Sequence, residues 1–128
     1  MILVDSSVIF DHTRNRDPRL AGWFKTNPVA VCGVVRAEVP HGARNAGDRA
    51  NLEALLNRFA QVPIPEATWD TVGDHLAVLR SNGLTVPFPD AVLATVAVVN
   101  NIELWTRDAH FPLIQKWLPA LQLFQEPP

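Results

Sequence analysis

Four acidic residues of the 128-residue chain stand where carboxylates can do chemistry. Asp5 ends the apolar run Ile2–Val4, and Glu38 follows the apolar run Val29–Val35. Asp90 comes directly after Pro89 at the head of an Ala- and Val-rich stretch, and Asp108 lies just past Ile102–Trp105. Carboxylates gathered without partners in a partly desolvated pocket repel one another. A divalent cation relieves that repulsion, because Mg²⁺ and Mn²⁺ prefer oxygen ligands and a few carboxylates plus water suffice. A cation so held lowers the pKa of bound water and stabilises charge developing on a phosphoryl group. Each acid also has a plainer reading. Asp5 and Asp90 suit a helix cap or first turn, Glu38 a solvated helix face and Asp108 a turn. What sets them apart is their joint placement, since chance would have to bring all four to one end of one sheet.

The elements that would bring them together follow from the hydrophobic pattern. Strands are expected at Ile2–Val4, Val29–Cys32, Val62–Ile64, Ile102–Trp105 and Leu121–Phe124. Helices are expected after Ser6–Ser7, over Pro18–Lys25, from about Val34 to Ala46 carrying Glu38, over Arg49–Ala60, Glu66–Arg80 and Asp90–Asn100, and over Phe111–Leu118. Pro40 is awkward inside the helix of Glu38. Pro63 and Pro65 confine the third strand to a sheet edge. Asp90–Asn100 is apolar almost all round and should be deeply buried. Strands alternating with helices give an α/β fold with a mainly parallel sheet. In such a sheet, sites form beyond the carboxyl ends of the strands where the strand order reverses. Asp5, Glu38, Asp90 and Asp108 all fall near such ends.

Composition bounds the rest. With 48% hydrophobic and 19% charged residues, the chain fits one compact domain, residues 1–126, with 127–128 as a tail. Net charge is −2 and gives no global nucleic-acid signal. No apolar run is long enough for a membrane span, and MILVDSS lacks the basic start of a signal peptide, so a cytoplasmic location is expected. Cys32 has no cysteine partner, and His12, His41, His75 and His110 show no zinc spacing. Ser6 or Ser7 could enter a triad on paper, but no nucleophile elbow supports one. The four tryptophans fall mostly at core positions and read as packing.

The motifs as a set resemble those of PIN-domain ribonucleases of the VapC toxin type. MILVDSSVIFD resembles the family's first strand, first catalytic Asp and hydroxyl pair. VVRAEVPHGAR resembles its Glu followed four residues later by Gly, LTVPFPDAVLATVA its Asp opening an Ala-rich helix, and LWTRDAHF its Thr-x-Asp then Phe. The resemblance implies a five-stranded sheet in the order 3-2-1-4-5. It implies that Asp5, Glu38, Asp90 and Asp108 are catalytic and bind Mg²⁺, with Mn²⁺ able to substitute, and that Ser7 and Thr106 are their hydroxyl partners. Two departures stand out: His110 occupies a place where some relatives carry a further acid, and Pro40 lies in the helix of Glu38.

The activity so implied is cleavage of RNA by metal-activated water, as the toxin of a type II toxin–antitoxin pair. The implied partners are an RNA substrate, a small antitoxin with a segment that folds on binding, and a second copy in a homodimer. Arg14, Arg16, Arg19, Arg36 and Arg44 are candidate RNA-backbone contacts. The alternative is a PIN-like domain that processes or only binds RNA. An acid-pocket phosphatase fits poorly, because Asp5-Ser6-Ser7 lacks a second acid two residues on.

Overall fold

The computed structural model describes residues 1–128. In chain order the elements are β1 (Ile2–Val4), α1 (Ser6–Thr13), α2 (Pro18–Thr26), β2 (Val29–Cys32), α3 (Gly33–His41) and α4 (Ala46–Leu56). They continue with β3 (Ala60–Val62), α5 (Glu66–Ser81), α6 (Phe88–Val99), β4 (Glu103–Trp105), α7 (His110–Trp117) and β5 (Gln122–Leu123). The five strands form one sheet in the order β3-β2-β1-β4-β5, and every pairing is parallel. Strands that are covered on both faces read as continuous apolar runs, and β1 and β2 are buried at every residue. The order reverses between β1 and β4, so the crevice beyond their carboxyl ends is where a site is expected.

Several boundaries differ from the sequence reading, each for a local reason. The helix of Glu38 ends at His41 and does not run to Ala46. Asn45 starts a new helix instead, its side chain accepting from the Asp48 N–H at 2.8 Å. The following helix is therefore Ala46–Leu56, not Arg49–Ala60. The third strand is Ala60–Val62, not Val62–Ile64, because Pro63 has no N–H to continue the ladder. The Ala-rich helix starts two residues early, at Phe88, and keeps Asp90 in its first turn. The last strand shrinks to Gln122–Leu123.

The core lies on both faces of the sheet. Helix α6 contributes Ala91 through Ala97, all buried, as its composition required. The buried Thr95 hydroxyl donates to Ala91 O at 2.7 Å and so accepts from His75 Nδ1–H at 2.8 Å, which satisfies both groups. Trp105 is fully buried and packs against Trp23, Phe24 and Phe124. Trp69 and Trp117 are 40% and 37% exposed, so half of the tryptophans are not core residues. In α5 the inward stripe runs through Thr68, Val72 and Leu79, which turns Trp69 outward onto Phe88 in a parallel stack. No helix is long and apolar enough to cross a membrane.

Candidate active site

Asp5 is the first residue past β1 and sits where a helix cap would, yet its carboxylate caps nothing in α1. It is buried, at 5% exposure. Its Oδ2 accepts from Ser7 Oγ at 2.7 Å and from Thr106 Oγ1 at 2.8 Å. Those two hydroxyls are themselves acceptors. Ser7 Oγ takes the N–H of Arg107 at 3.1 Å, and Thr106 Oγ1 takes that of Asp108 at 3.0 Å. Backbone N–H groups thus point at hydroxyls, and the hydroxyl protons point at one carboxylate oxygen. Such a chain fixes the rotamer of Asp5 and draws the loop after β4 over the end of β1. The capping alternative for Asp5 is excluded by this geometry. Oδ1 has only the Ser6 hydroxyl, at 3.4 Å.

Glu38 reaches the site from α3. Val35 and Val39 on that helix are buried, which turns Glu38 to the half-buried side. Pro40 is buried two residues later, and the helix accommodates it because its end follows at once. A Cβ at Gly42 would lie 3.3 Å from Phe10 Cζ and 3.2 Å from Arg14 Nη2, so those two side-chain ends would have to give by a few tenths of an ångström. The Glu38 carboxylate forms no hydrogen bond or ion pair. Burial first, then Asp5 and Asp90, push its pKa up. Burial likewise raises that of Asp90, reinforced by Asp108 and Asp5 and opposed by a hydrogen bond with His110. Asp108 also makes a turn: its Oδ1 accepts the His110 N–H at 2.9 Å, at the start of α7.

The four acids therefore face one another electrostatically, but they are not equidistant. The tightest group of donor atoms is Asp90, Asp108 and His110, all within 4.8 Å of one another. His110 was expected only as the absence of an acid. Arg107 is the second residue missed. It stands between Thr106 and Asp108 but faces the other way, as alternate residues of extended chain do. There it pairs with Asp11 at 2.9 Å, Asp17 at 3.0 Å and Glu126 at 2.6 Å. No arginine neutralises the pocket. An oxygen-rich donor set without a guanidinium partner, in which burial and repulsion raise the proton affinities of Glu38 and Asp90, fits a hard divalent cation.

The five arginines named as RNA contacts differ in their surroundings. Arg14 lies over the Phe10 ring and donates to Gly42 O. Arg19 pairs with Asp17 and covers Trp23. Arg36 donates to Asn57 and Arg44 faces Asp48. Arg16 is exposed in a left-handed backbone conformation.

Comparison with known proteins gives one consistent picture. Residues 2–116 match the family model described as PIN domain. The chain is 32% identical over 124 residues to Ribonuclease VapC10 of Mycobacterium tuberculosis, covering 93% of this chain and 92% of that protein. It is 33% identical over 109 residues to Ribonuclease VapC32 of the same organism, covering 84% of this chain and 85% of that protein. Among solved structures, VapBC2 from Rickettsia felis bound to a promoter DNA fragment superposes with a TM-score of 0.83 at 20% identity, over 97% of this chain and 98% of the other. VapBC-1 from nontypeable Haemophilus influenzae gives 0.78 at 20% identity, over 97% of each chain.

Proposed function

This chain belongs to the PIN domain family, as a relative of the VapC ribonucleases, and from that premise we propose that it is a divalent-metal-dependent endoribonuclease and the toxin half of a type II toxin–antitoxin pair. The observation that carries the metal reading is the split between Arg107 and its neighbours: the one arginine beside the pocket is spent on Asp11, Asp17 and Glu126. Asp5, Glu38, Asp90 and Asp108 are left to hold Mg²⁺ or Mn²⁺. Such an ion, when bound, supplies positive charge to the phosphodiester and activates water.

The chain's own residues define the remainder of the chemistry. Ser7 and Thr106 hold Asp5 by one oxygen, and the other, Oδ1, has only the long Ser6 hydroxyl contact. Glu38, whose carboxylate has no hydrogen-bond or ion-pair partner, is suited to accept the proton of the attacking water on a carboxylate oxygen. Side-chain nucleophiles are disfavoured. The Ser7 proton is committed to Asp5, and Cys32 is buried with its thiol pKa pushed up by that burial. In this hydrolysis water attacks phosphorus, the P–O3′ bond breaks and the 3′-oxygen leaves with a proton, which gives a 5′-phosphate and a 3′-hydroxyl.

The proposed partners are an antitoxin segment that folds over the pocket and a second copy of the chain. Trp69, Phe88, Val99, Leu113 and Trp117 are exposed large apolar side chains that such partners would cover. Among the arginines, Arg36 shares α3 with Glu38 and is the proposed first contact for an RNA backbone. The site of action is the cytoplasm, where the RNA is. Expression in a bacterial host tests the assignment. Growth arrest that requires Asp5, with RNA ends of the stated chemistry and relief by a neighbouring small reading frame, is expected. Soluble protein that accumulates without slowing growth overturns the toxin role, and full cleavage in excess EDTA overturns the metal role.

A further inference from the structure

The tightest donor group in the pocket includes a nitrogen. His110 Nδ1 lies 3.3 Å from Asp90 Oδ2 and 3.5 Å from Asp108 Oδ1. The ring is not there by chance of a flexible tail. His110 opens α7, and its backbone N–H is tied to the Asp108 carboxylate at 2.9 Å, so the turn presents both side chains to the same side. Asp90 meets them from the first turn of α6. The imidazole is about half exposed, with side-chain exposure of 53%, and so has room to turn its nitrogen onto a bound ion. Its chemistry differs from that of the acids around it. Mg²⁺ binds oxygen almost exclusively, whereas Mn²⁺ and the later first-row ions accept imidazole nitrogen as well as carboxylate.

We propose that His110 is a direct nitrogen ligand of the ion held in this pocket, and that it shifts the preference of the site from Mg²⁺ toward Mn²⁺. This rests on the reading of the pocket as a metal site. The competing role is that of a built-in countercharge, in which protonated His110 merely offsets Asp90 and Asp108 and competes with any cation.

Calorimetric titration of the full chain with Mn²⁺ and, separately, Mg²⁺ tests the proposal, at mildly alkaline pH where an imidazole is neutral. His110→Ala is expected to weaken Mn²⁺ binding by about tenfold or more and Mg²⁺ binding by much less. His110→Asp, which restores a hard oxygen, is expected to tighten Mg²⁺ relative to Mn²⁺. Pulsed electron paramagnetic resonance of the Mn²⁺-loaded wild type should show hyperfine coupling to a ligand nitrogen that is lost in His110→Ala. Mn²⁺ bound without nitrogen coupling, or equal changes for the two ions in His110→Ala, overturns the assignment of His110 and leaves the metal pocket standing. Wild-type protein that binds neither ion overturns the pocket reading and this inference with it.

Discussion

Residues Thr106 to Asp108 separate two acidic clusters of opposite electrical character. On one side Asp5, Glu38, Asp90 and Asp108 face each other with His110 as the only nearby nitrogen base. On the other, Asp11, Asp17 and Glu126 surround the guanidinium of Arg107, and Arg19 adds a second pairing to Asp17. The shifts diverge accordingly. Burial and mutual repulsion raise the pKa of Glu38 and Asp90. Hydrogen bonds from Arg19, then Arg107, hold Asp17 well below the ordinary carboxylate range. In return Glu126, followed by Asp11 and Asp17, makes Arg107 harder to deprotonate. Identical side-chain chemistry thus makes a brace where a guanidinium is covalently built in, and leaves mutually repelling carboxylates where it is not.

The difference is most directly broken at Asp5. Asp5→Asn keeps the shape and removes a charge, so RNA cleavage at saturating Mg²⁺ should fall by more than about a hundredfold, beyond the usual loss for a supporting hydrogen bond. In EDTA the melting temperature of the variant should equal or exceed that of the wild type, because repulsion is relieved. A variant that melts far lower without metal would mean that Asp5 is structural.

Thr106→Val removes a hydroxyl that holds Asp5 Oδ2 while keeping the branched shape. Metal affinity should drop by about tenfold or more, the scale of lost hydrogen bonds to metal ligands. Unchanged affinity in a titration would show that Ser7 alone suffices.

Arg107→Met tests the brace. The clamp joins α1, the segment before α2, the loop after β4 and the C-terminal tail, and its loss leaves three acids without their shared cation. The expected cost is about 1–3 kcal/mol, the scale of charge-assisted hydrogen bonds at partly buried groups. Denaturant unfolding measures it, and the Asp5 network should survive because it uses the Arg107 backbone N–H and not the side chain.

The smallest effect sharpens the contrast through pH. In metal-free protein the neutral forms of Glu38 and Asp90 are favoured by folding. Their contribution is intact below the ordinary carboxylate range and is lost as pH rises through their raised values. Asp17 has the reverse sign: its contribution is full above the ordinary range and is lost as pH falls through its depressed value. Asp90→Asn should therefore flatten the loss of stability on the neutral side, and Asp17→Asn the loss on the acid side. Thermal melts across pH in EDTA check both, and a single shared profile would erase the distinction.

Much of this architecture is written locally. Unbroken apolar runs made β1 and β2 central strands, and the Ala-rich run after Pro89 made α6 a buried helix. Since strand ends carry the acids, the positions of Asp5 and Asp108 at one sheet end followed as well. Boundaries were less legible where two local signals competed. Asn45 could end one helix or start another, and Pro63 could lie inside a strand or stop it.

The sequence by itself therefore determined the order of the elements and the carboxyl ends of β1, β2 and β4, near which the candidate acids stand, because hydrophobic period and turn chemistry act between near neighbours. Only the tertiary structure decided which acids received a cation. Arg107 is 96 residues from Asp11, and Ser7 is 99 from Thr106. No local pattern records such pairs, since Coulomb and hydrogen-bond energies depend on distance through space. The same holds for His110, which became a candidate ligand when α7 was set beside the first turn of α6.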